Sequence, residues 1–225
     1  MRTGQSFFIP SYGPKHDSID AGLAWLLQSP CQEKMVVFCG ISCAKNISCS
    51  TNTKLLFDEL VKRREITIPN VHGHIILAFP QKLPCYFDGA VLAIHLPDAE
   101  LEKIDAISGH FDVFFVPWLK TEGDTWKRRW GATDVSTGQK IASAAITATM
   151  ELDRILHSSC APDLHNSHDY NGIIDTLNAL HQSGKMPSPT VISEFLKQNG
   201  WAFESADKVA EIAAKIAAGR VVRKR

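Results

Sequence analysis

Three short apolar runs constrain this chain more than any other feature: Met35–Gly40 (MVVFCG), Ala90–Leu96 (AVLAIHL) and Asp112–Trp118 (DVFFVPW). None alternates between apolar and polar residues, and a stretch with helical spacing follows each one. Runs of this length buried on both faces are strands of a parallel sheet covered by helices. The expected fold is α/β, with a mostly parallel Rossmann-like sheet flanked by helices and a small helical domain at the C-terminal end.

The spacing of apolar residues predicts helices over Asp17–Gln28, Thr53–Arg64, Pro97–Ser108 and Asp124–Gly131. In the second of these, Leu55, Leu56, Leu60 and Val61 are expected to face inward. Ile66–Ile68 and His74–Phe79 read as two strands joined by the turn-rich PNVHG, and Ile41–Thr51 as a polar loop. A long helix is expected over Gln139–His157. Three shorter helices follow over Ile173–Ser183, Pro189–Asn199 and Ala206–Ala218, each stopped by a glycine. Ser188 and Ser205 stand where N-caps belong, and Pro189 suits a first helical turn. The chain thus divides into an α/β domain over 1–135, a connecting helix and linker over 136–165, and a three-helix domain with a basic tail over 166–225.

Composition narrows the function classes. The 225 residues carry 24 Lys and Arg against 24 Asp and Glu, so the formal net charge is zero and a generally basic nucleic-acid binder is disfavoured. No stretch approaches the roughly 20 apolar residues that span a bilayer. The N-terminal stretch lacks the continuous apolar core of a signal peptide. The six cysteines are therefore read as reduced, Cys39 as a buried strand thiol, and the location as cytoplasmic.

In open parallel sheets, ligands bind outside the carboxyl ends of the strands. Here those ends offer Ser42, Lys45, Trp118, Lys120 and Asp124 as candidate ligand-binding residues. The loop CGISCAKNISCST holds one glycine and lacks both the dinucleotide and the P-loop fingerprints. Its cysteines, Cys39, Cys43 and Cys49, match no common metal spacing. No cofactor is predicted.

Between Trp118 and Gly131 the chain is unusually rich in tryptophan. Trp126 and Trp130 share a helix face around Arg128 and Arg129. They read as an aromatic platform for a base, as a hot spot for a protein partner, or as an apolar face packed on the sheet. The tail residues Arg220, Arg223, Lys224 and Arg225 read as a phosphate-contacting patch or as a solvated end. His157, Cys160, His165 and His168 lie within a dozen residues, the weak alternative of a zinc site with non-standard spacing.

No hydrolase elbow or carboxylate pair stands out. The leading expectation is a non-enzymatic interaction protein, an accessory or regulatory subunit of a cytosolic assembly, with a protein partner or self-association. One alternative is a Rossmann-like enzyme or binding domain with a non-standard small-molecule site at the strand ends. The other is a nucleic-acid-binding regulator that uses the C-terminal helices and basic tail.

Overall fold

A computed structural model of the chain describes residues 2–142, 146–159 and 164–225. The chain divides into two compact units, Met1–Ala144 and Ala145–Arg225.

The first unit is built on an eight-stranded sheet. Its strands are β1 (Arg2–Thr3), β2 (Ser6–Phe8), β3 (Glu33–Phe38), β4 (Glu65–Ile66), β5 (His74–Ala78), β6 (Gly89–Ile94), β7 (Gly109–Val116) and β8 (Thr133–Asp134). The order across the sheet is β4-β5-β3-β6-β7-β2-β8, and β1 also pairs with β7. Every pairing is parallel except β4 with β5, where a hairpin closes one edge. The three apolar runs are the three central strands β3, β6 and β7. All six residues of β6 are buried, as a strand covered on both faces requires.

Alternation along β3 divides the core into two layers. Val36 and Phe38 face a layer filled by Ile19, Leu23, Leu26, Phe57 and Leu60. Met35 and Val37 face a layer filled by Leu101, Ile104 and Trp126. The first layer comes from α1 (His16–Gln28) and α3 (Thr51–Arg63), the second from α4 (Asp98–Asp105) and α5 (Asp124–Trp130). Gly22 in α1 lets that helix settle on β6 and β7. A Cβ there would lie 2.7 Å from Leu92 Cδ1 and 3.1 Å from Val116 Cγ2.

Several expectations are corrected. The segment Ile41–Thr51 is not all loop, because Ile41–Lys45 forms a short helix, α2, directly after β3. In α3, Leu60 is buried with Thr53 and Phe57, and Leu56 and Val61 pack partly buried against the same layer, but Leu55 is 61% exposed. The larger ring takes the inward position and meets Phe38 edge to face at 5.3 Å.

The long helix expected over Gln139–His157 does not form. Its early backbone groups pair elsewhere: Gln139 O accepts from Asp134 N, Ile141 N donates to Ala132 O, and Lys140 bridges Thr133. The helix that does form is α6 (Met150–Leu156). It starts where the Thr149 side chain accepts from Leu152 N, an N-cap contact.

The second unit contains α6, α7 (Ser167–Gln182), α8 (Pro189–Gln198) and α9 (Phe203–Ala217). Their apolar faces meet in one core that includes Leu152, Ile155, Leu177, Phe195 and Ile212, with Trp201 buried among them. Ser188 caps α8 by accepting from Val191 N. The cap of α9 is Ala202 rather than Ser205, so that helix begins three residues earlier than its sequence suggests.

Candidate functional site

The connections out of β3 and β6 leave on opposite faces of the sheet. The chain from β3 runs through α3 in one layer and returns to β5 on one side. The chain from β6 runs through α4 in the other layer and returns to β7 on the other side. Where neighbouring strands send their crossovers apart, a crevice opens at their carboxyl ends. The pairing of Phe38 with Ile94 places Cys39 and His95, the next residue of each strand, at this point.

His95 adopts φ 53, in the left-handed region that non-glycine residues enter at a cost. Its backbone N–H donates to Val116 O at 2.8 Å, which ties it to the end of β7. Its ring meets Trp118 edge to face, with centroids 4.9 Å apart. Burial holds the imidazole pKa down at about 4, so the ring is neutral at physiological pH. A neutral imidazole offers one donor and one acceptor.

Trp118 is held from both sides of its backbone. Its carbonyl accepts from Gly13 N at 2.8 Å, and its N–H donates to the Glu122 carboxylate. Trp118 remains 41% exposed. Ile41, Leu119 and Val135, also exposed, follow β3, β7 and β8 on this same end of the sheet.

Of the ligand-binding candidates read from the sequence, Trp118 is the one placed against His95. Ser42 and Lys45 lie exposed on α2, and the Lys45 carbonyl accepts from Lys54 Nζ at 2.6 Å. Lys120 is exposed in the turn after β7. Asp124 opens α5 and pairs with the buried Lys127 Nζ at 2.7 Å. Burial, reinforced by Asp124 and Asp134, raises the Tyr12 phenol above its usual range.

The cysteines are not all reduced as expected. Cys39 and Cys43 form a disulfide that joins the end of β3 to α2, while Cys31, Cys49 and Cys85 are free. Among the described residues no group of three or more His, Cys, Asp or Glu side chains is placed to hold a metal ion. His157, His165 and His168 are exposed, and Cys160 lies outside the described residues.

The tryptophan-rich helix takes the packing role. Trp126 is 1% exposed, and its Nε1 donates to Asp105 Oδ1 at 3.1 Å. Trp130 Nε1 donates to Asp105 Oδ2 at 2.7 Å, and Arg2 Nε donates to Asp105 Oδ1 at 2.8 Å. The Arg2 guanidinium lies 3.9 Å from the centre of the Trp130 ring. Arg129 binds Glu102 at 3.0 Å with its side chain buried. Arg128 alone of the four faces solvent.

The last two residues of the exposed basic tail lie against α7. Lys224 Nζ pairs with Asp175 at 2.7 Å, and the Arg225 guanidinium lies 4.2 Å over the Tyr170 ring. Asn171 exchanges two hydrogen bonds with the Arg225 backbone. Two of the four tail cations thus already have partners on α7. Arg220 and Arg223 are exposed.

Residues 147–225 match a family described as a domain of unknown function (DUF1889). That segment covers α6 to α9. No curated protein and no solved structure matches the chain. No helix among the described residues is long and apolar enough to cross a membrane.

His95 and the Cys39–Cys43 pair are the site residues that sequence reading missed. The visible signal for His95 was a histidine at the end of an otherwise apolar strand run. For the cysteines, a pair separated by one helical turn was in view, but pairing depends on where α2 begins.

Proposed function

We propose that the first unit is a Rossmann-like domain that binds a small organic molecule at the carboxyl ends of β3, β6 and β7. The observation that carries this reading is His95, kept neutral and in a left-handed conformation against an exposed indole at the point where the crossovers diverge. Strained non-glycine residues concentrate at functional sites, where the surrounding structure holds them in place. A part-exposed indole beside a neutral imidazole suits an uncharged, flat portion of a ligand, with stacking from Trp118 and a hydrogen bond from His95.

We place the protein in the cytoplasm. Disulfides there are usually transient and catalytic or redox-sensing. The Cys39–Cys43 pair would accordingly be open there to thiol–disulfide exchange with a cellular dithiol, which would be oxidised to its disulfide as the pair is reduced.

A second reading, a regulatory or accessory subunit that docks on another protein, draws on the exposed apolar side chains of the same rim, Ile41, Trp118, Leu119 and Val135. Native mass spectrometry of the gently purified chain separates the two. Retained small-molecule mass, lost on Trp118→Ala substitution, is the expected result. A second copy or another polypeptide retained in its place would favour the accessory reading. A bare chain that also binds nothing from a metabolite panel would overturn the small-molecule reading.

A further inference from the structure

A cavity of about 530 Å³ opens at the carboxyl ends of β3 and β5. Leu77, Ala78 and Phe79 line it along β5 and its exit, and Ile41 of α2 lines the β3 side. Arg64, Gln81 and Lys82 form the polar part of the lining, which contains no carboxylate. The volume falls within the range of small-molecule sites, about 300–1,000 Å³.

Arg64 is the informative residue. It ends α3 in the left-handed conformation, φ 71, where glycine is the residue of least cost. Both of its backbone groups are bound: its N–H donates to Leu60 O and its carbonyl accepts from Leu77 N, each at 2.8 Å. The guanidinium is 5.4 Å from the centre of the Phe79 ring. Neither Arg64 nor Lys82 has an ion-pair partner among the described residues. A backbone anchored at both its N–H and its carbonyl therefore presents a guanidinium near the Phe79 ring, and a neighbouring ammonium, to a cavity whose other lining is mostly apolar.

We infer that this cavity binds an amphipathic organic anion, with a carboxylate or phosphate head group at Arg64 and Lys82 and an apolar body against Ile41, Leu77 and Phe79. A planar guanidinium matches either head group with two parallel hydrogen bonds, and the ammonium adds a point charge. The apolar lining disfavours a fully polar anion, because its remaining surface would lose water without replacement. The lining includes neither His95 nor Trp118, so the cavity lies on the β5 side of the same strand ends; the inference rests on the reading of those ends as a small-molecule site and adds an anion-binding part to it.

The test is titration of the full chain with octanoate, phenyl phosphate, inorganic phosphate and neutral 1-octanol, followed by ligand-observed NMR. Octanoate or phenyl phosphate is expected to bind more tightly than 1-octanol and inorganic phosphate. Arg64→Gly, which also relieves the left-handed backbone and so preserves folding, is expected to weaken that binding by about tenfold or more. Lys82→Ala should weaken it less. Equal binding of octanoate and 1-octanol, or no loss in the Arg64→Gly variant, would overturn the charge assignment while leaving a small-molecule site in place. Inorganic phosphate binding as tightly as phenyl phosphate would overturn the apolar half. Failure of all four probes to bind would overturn the inference. If a metabolite panel then still perturbed Trp118 fluorescence, the strand-end reading would stand without it.

Discussion

The His95 imidazole and the Trp118 indole meet edge to face at the ends of neighbouring strands, their centroids 4.9 Å apart. Protonation of His95 would place a charge in that contact away from water, which is why burial lowers its pKa from 6.5 to about 4. The unfolded chain takes up this proton as pH falls through 6.5, and the folded chain does not until about pH 4. His95 therefore makes folding less favourable as pH falls through that window, and its effect levels off below pH 4. Solvent screening of the partly exposed ring holds the loss to about 2 kcal/mol. Urea unfolding at pH 7 and pH 4.5 should show the difference, and His95→Gln should reduce the slope. An unchanged slope would assign the acid sensitivity to other groups.

The same histidine separates stability from binding. His95→Gly removes the left-handed strain, which costs about 1–3 kcal/mol in a non-glycine residue, and also removes the contact with Trp118. The two effects offset, so the variant should stay within about 1 kcal/mol of the natural chain in denaturant unfolding. Any ligand retained by the natural chain should be lost. A variant that unfolds readily would show that His95 serves packing.

Asp105 is a buried carboxylate that binds Arg2 and the two indoles of Trp126 and Trp130. Asp105→Asn keeps the shape but leaves the Arg2 guanidinium buried without its counter-ion. The amide also turns one acceptor into a donor that faces N–H groups. The expected cost is about 3–5 kcal/mol, measured by urea unfolding. Trp130→Phe removes one charge-assisted hydrogen bond and should cost about 1.5–3 kcal/mol. A loss under about 1 kcal/mol in Asp105→Asn would show that the cluster relaxes and admits water.

Gly22 is the point where α1 approaches the sheet. Gly22→Ala would press a methyl group against Leu92 and Val116. Overpacking of a closed core typically costs about 1–3 kcal/mol, more than the helix propensity alanine restores. Thermal unfolding should register a lower midpoint. A rise would mean that α1 can lift from β6 and β7 without penalty.

Alkylation of the native chain without reductant should leave Cys39 and Cys43 unlabelled and modify the exposed Cys85. After reduction both should react. The loop they close is short, so the pair contributes about 2 kcal/mol by restricting the unfolded chain. Labelling of Cys43 in the oxidised protein would remove the disulfide from the site.

The three apolar runs were legible because they are short, rich in Val, Ile and Phe and free of alternation, which together favour strands buried on both faces over buried helix segments. Helix stops at Gly184, Gly200 and Gly219 and the cap at Ser188 were legible for a similar reason, since each acts within a few residues. On α3, Leu56, Leu60 and Val61 were legible as inward, but the choice between Leu55 and Phe57 was not, because only the opposing Phe38 decides it. The helix expected over Gln139–His157 was lost because Lys140 and Ile141 pair with backbone near β8, a partner that spacing along the chain does not register.

The sequence by itself determined the α/β class, the central strands and the presence of the last three helices, α7 to α9, all of which follow from local periodicity and turn chemistry. Only the tertiary structure decided which strand ends lie side by side. That choice sets Cys39 beside His95, turns His95 against Trp118, and opens a cavity between Arg64 and Lys82. Strand order and the direction of each crossover depend on contacts between residues far apart in the chain, and local pattern carries no record of them.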